Sequence, residues 1–149
     1  RYGNKVIFEI IGGTLGSLPN GMTRKSPKSE AATVSYPMFV QWVRRQHWDI
    51  AVAPLVNSPF NNCKSAIKLM DYAALRLPIV ASKHPEYEAA FGGDCGVKFL
   101  ENNQSAWVEA LSTLIESSPE MRAYYGQRAR KHYESQLTLH HQRKFLETH

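Results

Sequence analysis

Short apolar runs alternate with stretches of helical periodicity along this chain. KVIFEII (5–11) is β-branched, stops at Gly12-Gly13 and reads as a buried strand. TLGSLPNGMTRKSPKSE (14–30) is rich in Gly, Pro, Ser and Asn and reads as a long loop. The segment 31–36 is a candidate short strand. Pro37 opens a helical pattern with Phe39, Val40, Trp42 and Val43 on one face and Arg44, Arg45 and Gln46 outside. WDIAVAPLV (48–56) is a second buried strand with Pro54 near its end, because proline donates no hydrogen bond inside a sheet. NSPFNN (57–62) is turn chemistry, and residues 63–76 form a helix closed before Pro78.

LPIVAS (77–82) reads as a third buried strand and GVKFL (96–100) as a short one; KHPEYEAAFGGDC between them is a loop with one helical turn. Asn103 or Ser105 can cap a helix whose apolar positions are Trp107, Ala110, Leu111, Leu114 and Ile115. Ser118-Pro119-Glu120 is a helix start, and a last helix is expected from Leu139 to Leu146. Strands alternating with amphipathic helices predict a parallel sheet covered on both faces, in one α/β domain over 1–149 with C-terminal helices from 119 onward. Ligands of such sheets sit beyond the carboxyl ends of the strands. The loops expected there are Gly12 to Pro19, Asn57 to Asn62 and Lys83 to Gly93.

Composition changes this picture little. The 149 residues are 43% hydrophobic, enough for a core, and contain no apolar run long enough to cross a bilayer. The start lacks a signal-peptide pattern, and Arg1 in first place suggests a piece of a longer chain. Cys63 and Cys95 form no CxxC pair and no disulfide framework, which points to a reducing cytoplasm. The inner face of the membrane is a further candidate location. A net charge of +5 favours anionic partners, although the cations are dispersed rather than gathered in one patch.

The helix at 63–76 is where chemistry concentrates. Lys64, Lys68 and Asp71 stand at i, i+4 and i+7 and share one stripe, while Ile67, Met70, Ala73, Ala74 and Leu77 cover an apolar side. The helix follows the end of strand 48–56, and its first amides carry partial positive charge suited to a phosphate. Lys64 and Ser65, expected in the first turn, add a full charge and a hydroxyl. A lysine there opposes the helix dipole at a cost of about 0.3–1 kcal/mol, which hints at a use other than stability. Asp71 lies deeper and suits sugar hydroxyls, so the stripe matches a nucleoside diphosphate. The alternative is a solvated stripe with Lys68 bridged to Asp71 or Asp49.

These residues resemble a family. WDIAVAPL, KSAIKLMDYAALRLPIVAS, GVKFL, AWVEALSTLIE and MRAYYGQRAR follow the order found in the C-terminal nucleotide-sugar-binding domain of GT-B, group-1 (retaining) glycosyltransferases. The resemblance runs from about Val6 to Tyr133. It implies a Rossmann-like three-layer domain, the donor-binding half of an enzyme moving a sugar from a nucleotide diphosphate sugar to an acceptor hydroxyl. Asp71 takes the place of the family's second motif glutamate, which holds the ribose, and Cys63 takes the place of the first, which contacts the donor sugar. Cys63 is expected to be a packed small hydrophobe.

The resemblance makes Lys64 the charge that stabilises the leaving diphosphate. Gly12, Gly13, Asn57, Ser58, Phe60, Ser65, Ala66, Ile67, Lys68 and Asp71 are then the remaining donor-binding candidates. Arg24 and Lys25 are candidates for a further cation that the family places after its first strand. No metal or other cofactor is implied, and the acceptor glycan or lipid and any catalytic base belong to an N-terminal domain that this chain lacks. The chain alone is therefore expected to bind nucleotide weakly and to turn nothing over.

Other constellations are weaker. Gly12-Gly13-Thr14-Leu15-Gly16 does not match GxGxxG and reads as a tight turn. Thr33, Ser35 and Tyr36 are expected in strand-end packing, although they could frame the base. Asn57, Ser58 and Phe60 suit turn formation as well as ligand contact. His84 is expected at the surface, with a phosphate or sugar contact as the alternative, and His140-His141 in solvent. A degenerate transferase that only holds a nucleotide, or serves as a scaffold, is the rival reading. Nucleic-acid binding through ARKHYESQLTLHHQRK is a further one, but its acidic and apolar interruptions suggest a packed helix, so no nucleic acid is expected.

Overall fold

The computed structural model describes residues 2–12, 16–27 and 35–139. The expected strand at 31–36, most of the helix at 139–146, and Gly13, Thr33 and His140-His141 fall wholly or largely outside them. The protein is α/β, with every strand pair parallel, in two small sheets accompanied by five α-helices among the described residues. This is compatible with a Rossmann-like architecture, although the expected single sheet is two. The chain divides into two compact units, Arg1–His47 and Trp48–His149.

The first unit holds β1 (Phe8–Ile11), β2 (Met22–Lys25) and α1 (Tyr36–Arg44). β1 pairs in parallel with β2, Phe8 opposite Met22 and Ile11 opposite Lys25. β2 runs through the segment read as loop, because its sequence MTRK carries no apolar alternation. β1 was expected to be buried, yet Phe8 is exposed and the other three positions are only partly covered. A two-stranded sheet can shield little of either face. Lys25 is engaged by Glu9 at 3.2 Å, across the strand pair. α1 begins where Pro37 places it, with proline in the first turn.

The second unit holds β3 (Ala51–Ala53), α2 (Ile67–Ala74), β4 (Ile79–Ser82), α3 (Pro85–Phe91), β5 (Val97–Leu100), α4 (Gln104–Glu116) and α5 (Pro119–His132). The strands lie in the order β3-β4-β5, with Ala51 opposite Ile79 and Ile79 opposite Val97. Side chains alternate across a strand, so Ile79 and Ala81 face one layer and Val80 the other. On the first face they meet Leu69 and Ala73 of α2, Tyr87 and Phe91 of α3, and Ala129 of α5. On the second, Val80 and Leu100 meet Ala110 and Leu114 of α4. Helices thus cover both faces of this sheet, as a parallel sheet requires.

Local signals set the later helices. Asn103 Oδ1 accepts from Ala106 N at 2.9 Å and caps α4; Ser118 Oγ accepts from Met121 N at 3.2 Å and caps α5. KHPEYEAAF forms two turns of helix rather than one, because Tyr87 and Phe91 at i and i+4 are both buried.

α5 locks the amino side of the sheet. A Cβ on Gly126 would lie 1.9 Å from the Arg76 carbonyl oxygen, and one on Gly96 would lie 2.5 Å from the Tyr125 carbonyl oxygen. Arg130 Nη1 donates to Ala74 O at 2.7 Å, closing the end of α2, and the His132 ring bonds Ala90 O at 2.8 Å, near the end of α3. Arg128 bonds both the carboxylate and the carbonyl of Asp94.

Candidate functional site

The carboxyl ends of β3, β4 and β5 are joined by three hydrogen bonds that form a ring. Leu55 N donates to Ser82 Oγ at 2.7 Å, Ser82 Oγ donates to Asn102 Oδ1 at 2.6 Å, and Asn102 Nδ2 donates to Leu55 O at 2.7 Å. Ser82 is fully buried, so this ring replaces the water its hydroxyl loses. It fixes the root of the loop that leaves β3.

That loop is folded by its own polar groups. Ser58 Oγ accepts from Asn61 N at 3.2 Å, Ser58 O accepts from Asn62 N at 2.9 Å, and Asn61 Nδ2 donates to Val56 O at 2.7 Å. Such local bonds compete with helix formation. Residues 61–63 therefore make a single 3-10 turn, and Lys64 is extended at φ −89°, ψ 135°. The helix expected from residue 63 starts only at Ile67, with Ala66 before it.

Lys64 and Ser65 thus precede the first turn of α2 instead of lying in it. Both are exposed, and Lys64 Nζ sits 4.9 Å from the centre of the exposed Phe60 ring. Ala66 is buried and has no side-chain oxygen to cap the helix; its carbonyl accepts from Leu69 N at 2.9 Å and Met70 N at 3.1 Å, which leaves the Ile67 and Lys68 amides at the start of α2 without a side-chain cap. Lys68 is exposed and Asp71 half-buried. Ile67, expected on the apolar side, is 55% exposed. The buried face is Leu69 and Ala73, at i and i+4, with Met70 and Tyr72 partly buried beside it. Burial raises the Tyr72 phenol pKa above its ordinary range, with smaller contributions from Tyr87 and the Asp71 carboxylate beside it.

Two further expectations are corrected. Cys63 is exposed rather than packed, its Sγ 3.5 Å from Pro59 O, because the 3-10 turn carries it away from the sheet. Cys95 is the buried thiol, donating to Phe91 O at 2.7 Å, and burial pushes its pKa up. His84 is not at the surface: it is 1% exposed, at the N-cap of α3 two residues past β4, and its Nε2 lies 3.0 Å from Asn62 Oδ1. Sequence reasoning missed the inward turn of His84 and the Ser82–Asn102 pairing, since both depend on contacts 20 or more residues apart.

Of the expected donor residues, Asn57, Ser58, Phe60, Lys64, Ser65, Ala66, Ile67, Lys68 and Asp71 lie on the β3–α2 connection and α2 itself. Asn57 is exposed, and the Ser58 hydroxyl is committed to the turn. Gly12, with φ 93°, belongs to the first unit. A cavity of about 390 Å³ lies elsewhere, between α5 and the α3–β5 connection, lined by Asp94, Arg128, Lys131 and His132 among others; it contains no expected site residue. Among the described residues no cluster of three or more His, Cys, Asp or Glu is placed to hold a metal ion, and no helix is long and apolar enough to cross a membrane. No protein-family model, curated protein or solved structure matches this chain.

Proposed function

We propose that residues 48–149 are the donor-binding half of a glycosyltransferase that takes a sugar from a nucleoside diphosphate sugar. The observation that carries this reading is the start of α2. It is uncapped, it follows the carboxyl end of a strand in a parallel sheet, and Lys64 and Ser65 stand exposed just before it. Lys64 has no ion pair with any described residue. The uncapped Ile67 and Lys68 amides and the Lys64 ammonium suit a diphosphate, and a β3–α2 crossing is where open parallel sheets bind ligands. The likeness of KSAIKLMDYAALRLPIVAS to the group-1 GT-B motif supports the same reading.

As the glycosidic bond breaks, the diphosphate gains negative charge. Lys64 and the α2 amides offset it, which lowers the barrier more than it strengthens ground-state binding. Asp71, five residues past Ala66 and so about 7.5 Å along the helix, accepts hydrogen bonds from the ribose hydroxyls. The acceptor and its base come from a further domain. Cys63 at the place of the family's sugar-contacting glutamate favours a second reading, a domain that holds the nucleotide without transfer.

Titration calorimetry with UDP, GDP and ADP, each with and without a sugar, tests the proposal. One base is expected to bind, and Lys64→Ala to weaken it about tenfold, the order of one charge-assisted hydrogen bond, with unfolding free energy unchanged within about 0.5 kcal/mol. Absence of binding by every nucleotide would sink both readings.

A further inference from the structure

Among the described residues, His84 Nδ1 is the buried side-chain polar atom left without a hydrogen-bond partner. Its other nitrogen faces Asn62 Oδ1. An amide oxygen only accepts, so Nε2 carries the proton, and in the neutral ring Nδ1 is a bare acceptor. A buried acceptor left unsatisfied costs stability, and an apolar side chain of similar size would remove that cost. The ring packs on Tyr87, centroids 5.6 Å apart, in a setting that would suit such a side chain. Stability alone does not explain a histidine here.

What the ring does provide is one hydrogen bond to Asn62, the middle residue of the 3-10 turn that delivers Lys64. Asn62 is exposed, and the turn is otherwise held only by its own short-range bonds and by the ring of bonds at its root. Among the described residues, the His84–Asn62 bond is the one hydrogen bond between the tip of this loop and the buried layer beyond it.

We propose that His84 is a positioning residue: its Nε2–H holds Asn62, and through it the 61–66 segment, in the conformation that presents Lys64 and the α2 amides to a diphosphate. This deepens the nucleotide-sugar reading and rests on it for the ligand, but the hold on the turn stands independently. It makes an unusual combination of effects. Removing the imidazole relieves an unsatisfied acceptor while loosening the turn, so stability and nucleotide affinity move in opposite directions.

Four forms of the chain test this: His84→Leu, His84→Gln, Asn62→Ala and the double variant His84→Leu with Asn62→Ala. Hydrogen exchange of the 61–66 amides, the melting temperature and nucleoside diphosphate affinity are read for each. His84→Leu and Asn62→Ala are expected to speed exchange in 61–66 and to weaken affinity about three- to tenfold, the loss of one hydrogen bond. The double variant is expected to add nothing further, as for two partners of one interaction. His84→Gln, whose amide N–H reaches where Nε2–H did, is expected to restore slow exchange and affinity.

The melting temperature of His84→Leu is expected to stay level or rise, which a merely structural histidine would not allow. If His84→Leu fails to fold, that result itself overturns the proposal, because it makes the residue structural. Unchanged exchange in 61–66 with Asn62→Ala, whose side chain is at the surface, overturns it as well. If the unsubstituted chain binds no nucleotide, the donor reading falls, while the exchange rates still decide whether His84 holds the turn.

Discussion

The two ends of the three-stranded sheet are closed by different means. At the amino end, α5 presses backbone to backbone: Gly126 on Arg76 and Gly96 under Tyr125, with Arg130 and His132 closing the carbonyls of Ala74 and Ala90. At the carboxyl end, the closure is made of side chains: Ser82, Asn102 and Leu55 in a ring, and His84 on Asn62 with one nitrogen left over. At the first end backbone meets backbone and the carbonyls of Ala74 and Ala90 are bonded, beside the cavity lined by Asp94 and Arg128. The second leaves an uncapped helix start, an exposed cation and an orphaned acceptor. An end that only excludes water needs no spare polar groups, and on the proposed function those at the carboxyl end are the ones a ligand would meet.

Substitutions can break this contrast. The largest effect is expected from Gly126→Ala, since a methyl 1.9 Å from a carbonyl oxygen forces α5 off the α2–β4 turn. Urea unfolding should register a loss of about 3 kcal/mol or more, and a loss below about 1 kcal/mol would show the amino end to be looser than described. Ser82→Ala comes next. It strips Leu55 N of its acceptor and Asn102 of a donor in a buried setting, for about 1–3 kcal/mol, and should also speed exchange in the 54–56 segment.

The smallest effect is alkaline. The Cys95 thiol and the Tyr72 and Tyr87 phenols hold their protons more tightly when folded, in each case first because of burial. Between the unfolded and folded pKa values the native state binds more protons, so stability falls as pH rises. From about pH 7.5 to 8.5 these groups leave it level; it then declines, first through Cys95 and then, above about pH 10, through the tyrosines, at less than about 1.4 kcal/mol per pH unit for each group. Cys95→Ala should flatten the first part of the decline in urea midpoints measured from about pH 7.5 to 10.5.

What the sequence disclosed follows the range of the forces involved. The caps Asn103 and Ser118 act over three residues, and both appear where their neighbours place them. β4 is legible because Ile79, Val80 and Ala81 are buried on both faces and so form an unbroken apolar run. β2 is not, because MTRK lies in a small, exposed sheet where nothing selects apolar residues. The late start of α2 comes from Ser58, Asn61 and Asn62 bonding within the loop, a competition that helical periodicity cannot register. The proposed site is a stretch of chain, Asn57 to Asp71, that the sequence itself marks out. Its supports are not marked there: Ser82 finds Asn102 20 residues away, Asn102 finds Leu55 at 47, and His84 turns inward to reach Asn62 at 22.

The position of α5 in the chain has a consequence for synthesis. It is the last α-helix described, yet Arg130 and His132 supply the donors for Ala74 O and Ala90 O, which leave the ribosome some forty to sixty residues earlier. Until those residues emerge, the ends of α2 and α3 carry unmet carbonyls and the apolar layer beneath lacks Ala129. A nascent chain stalled before residue 119 is therefore an open, adhesive intermediate, and the window for chaperone capture closes only when α5 docks.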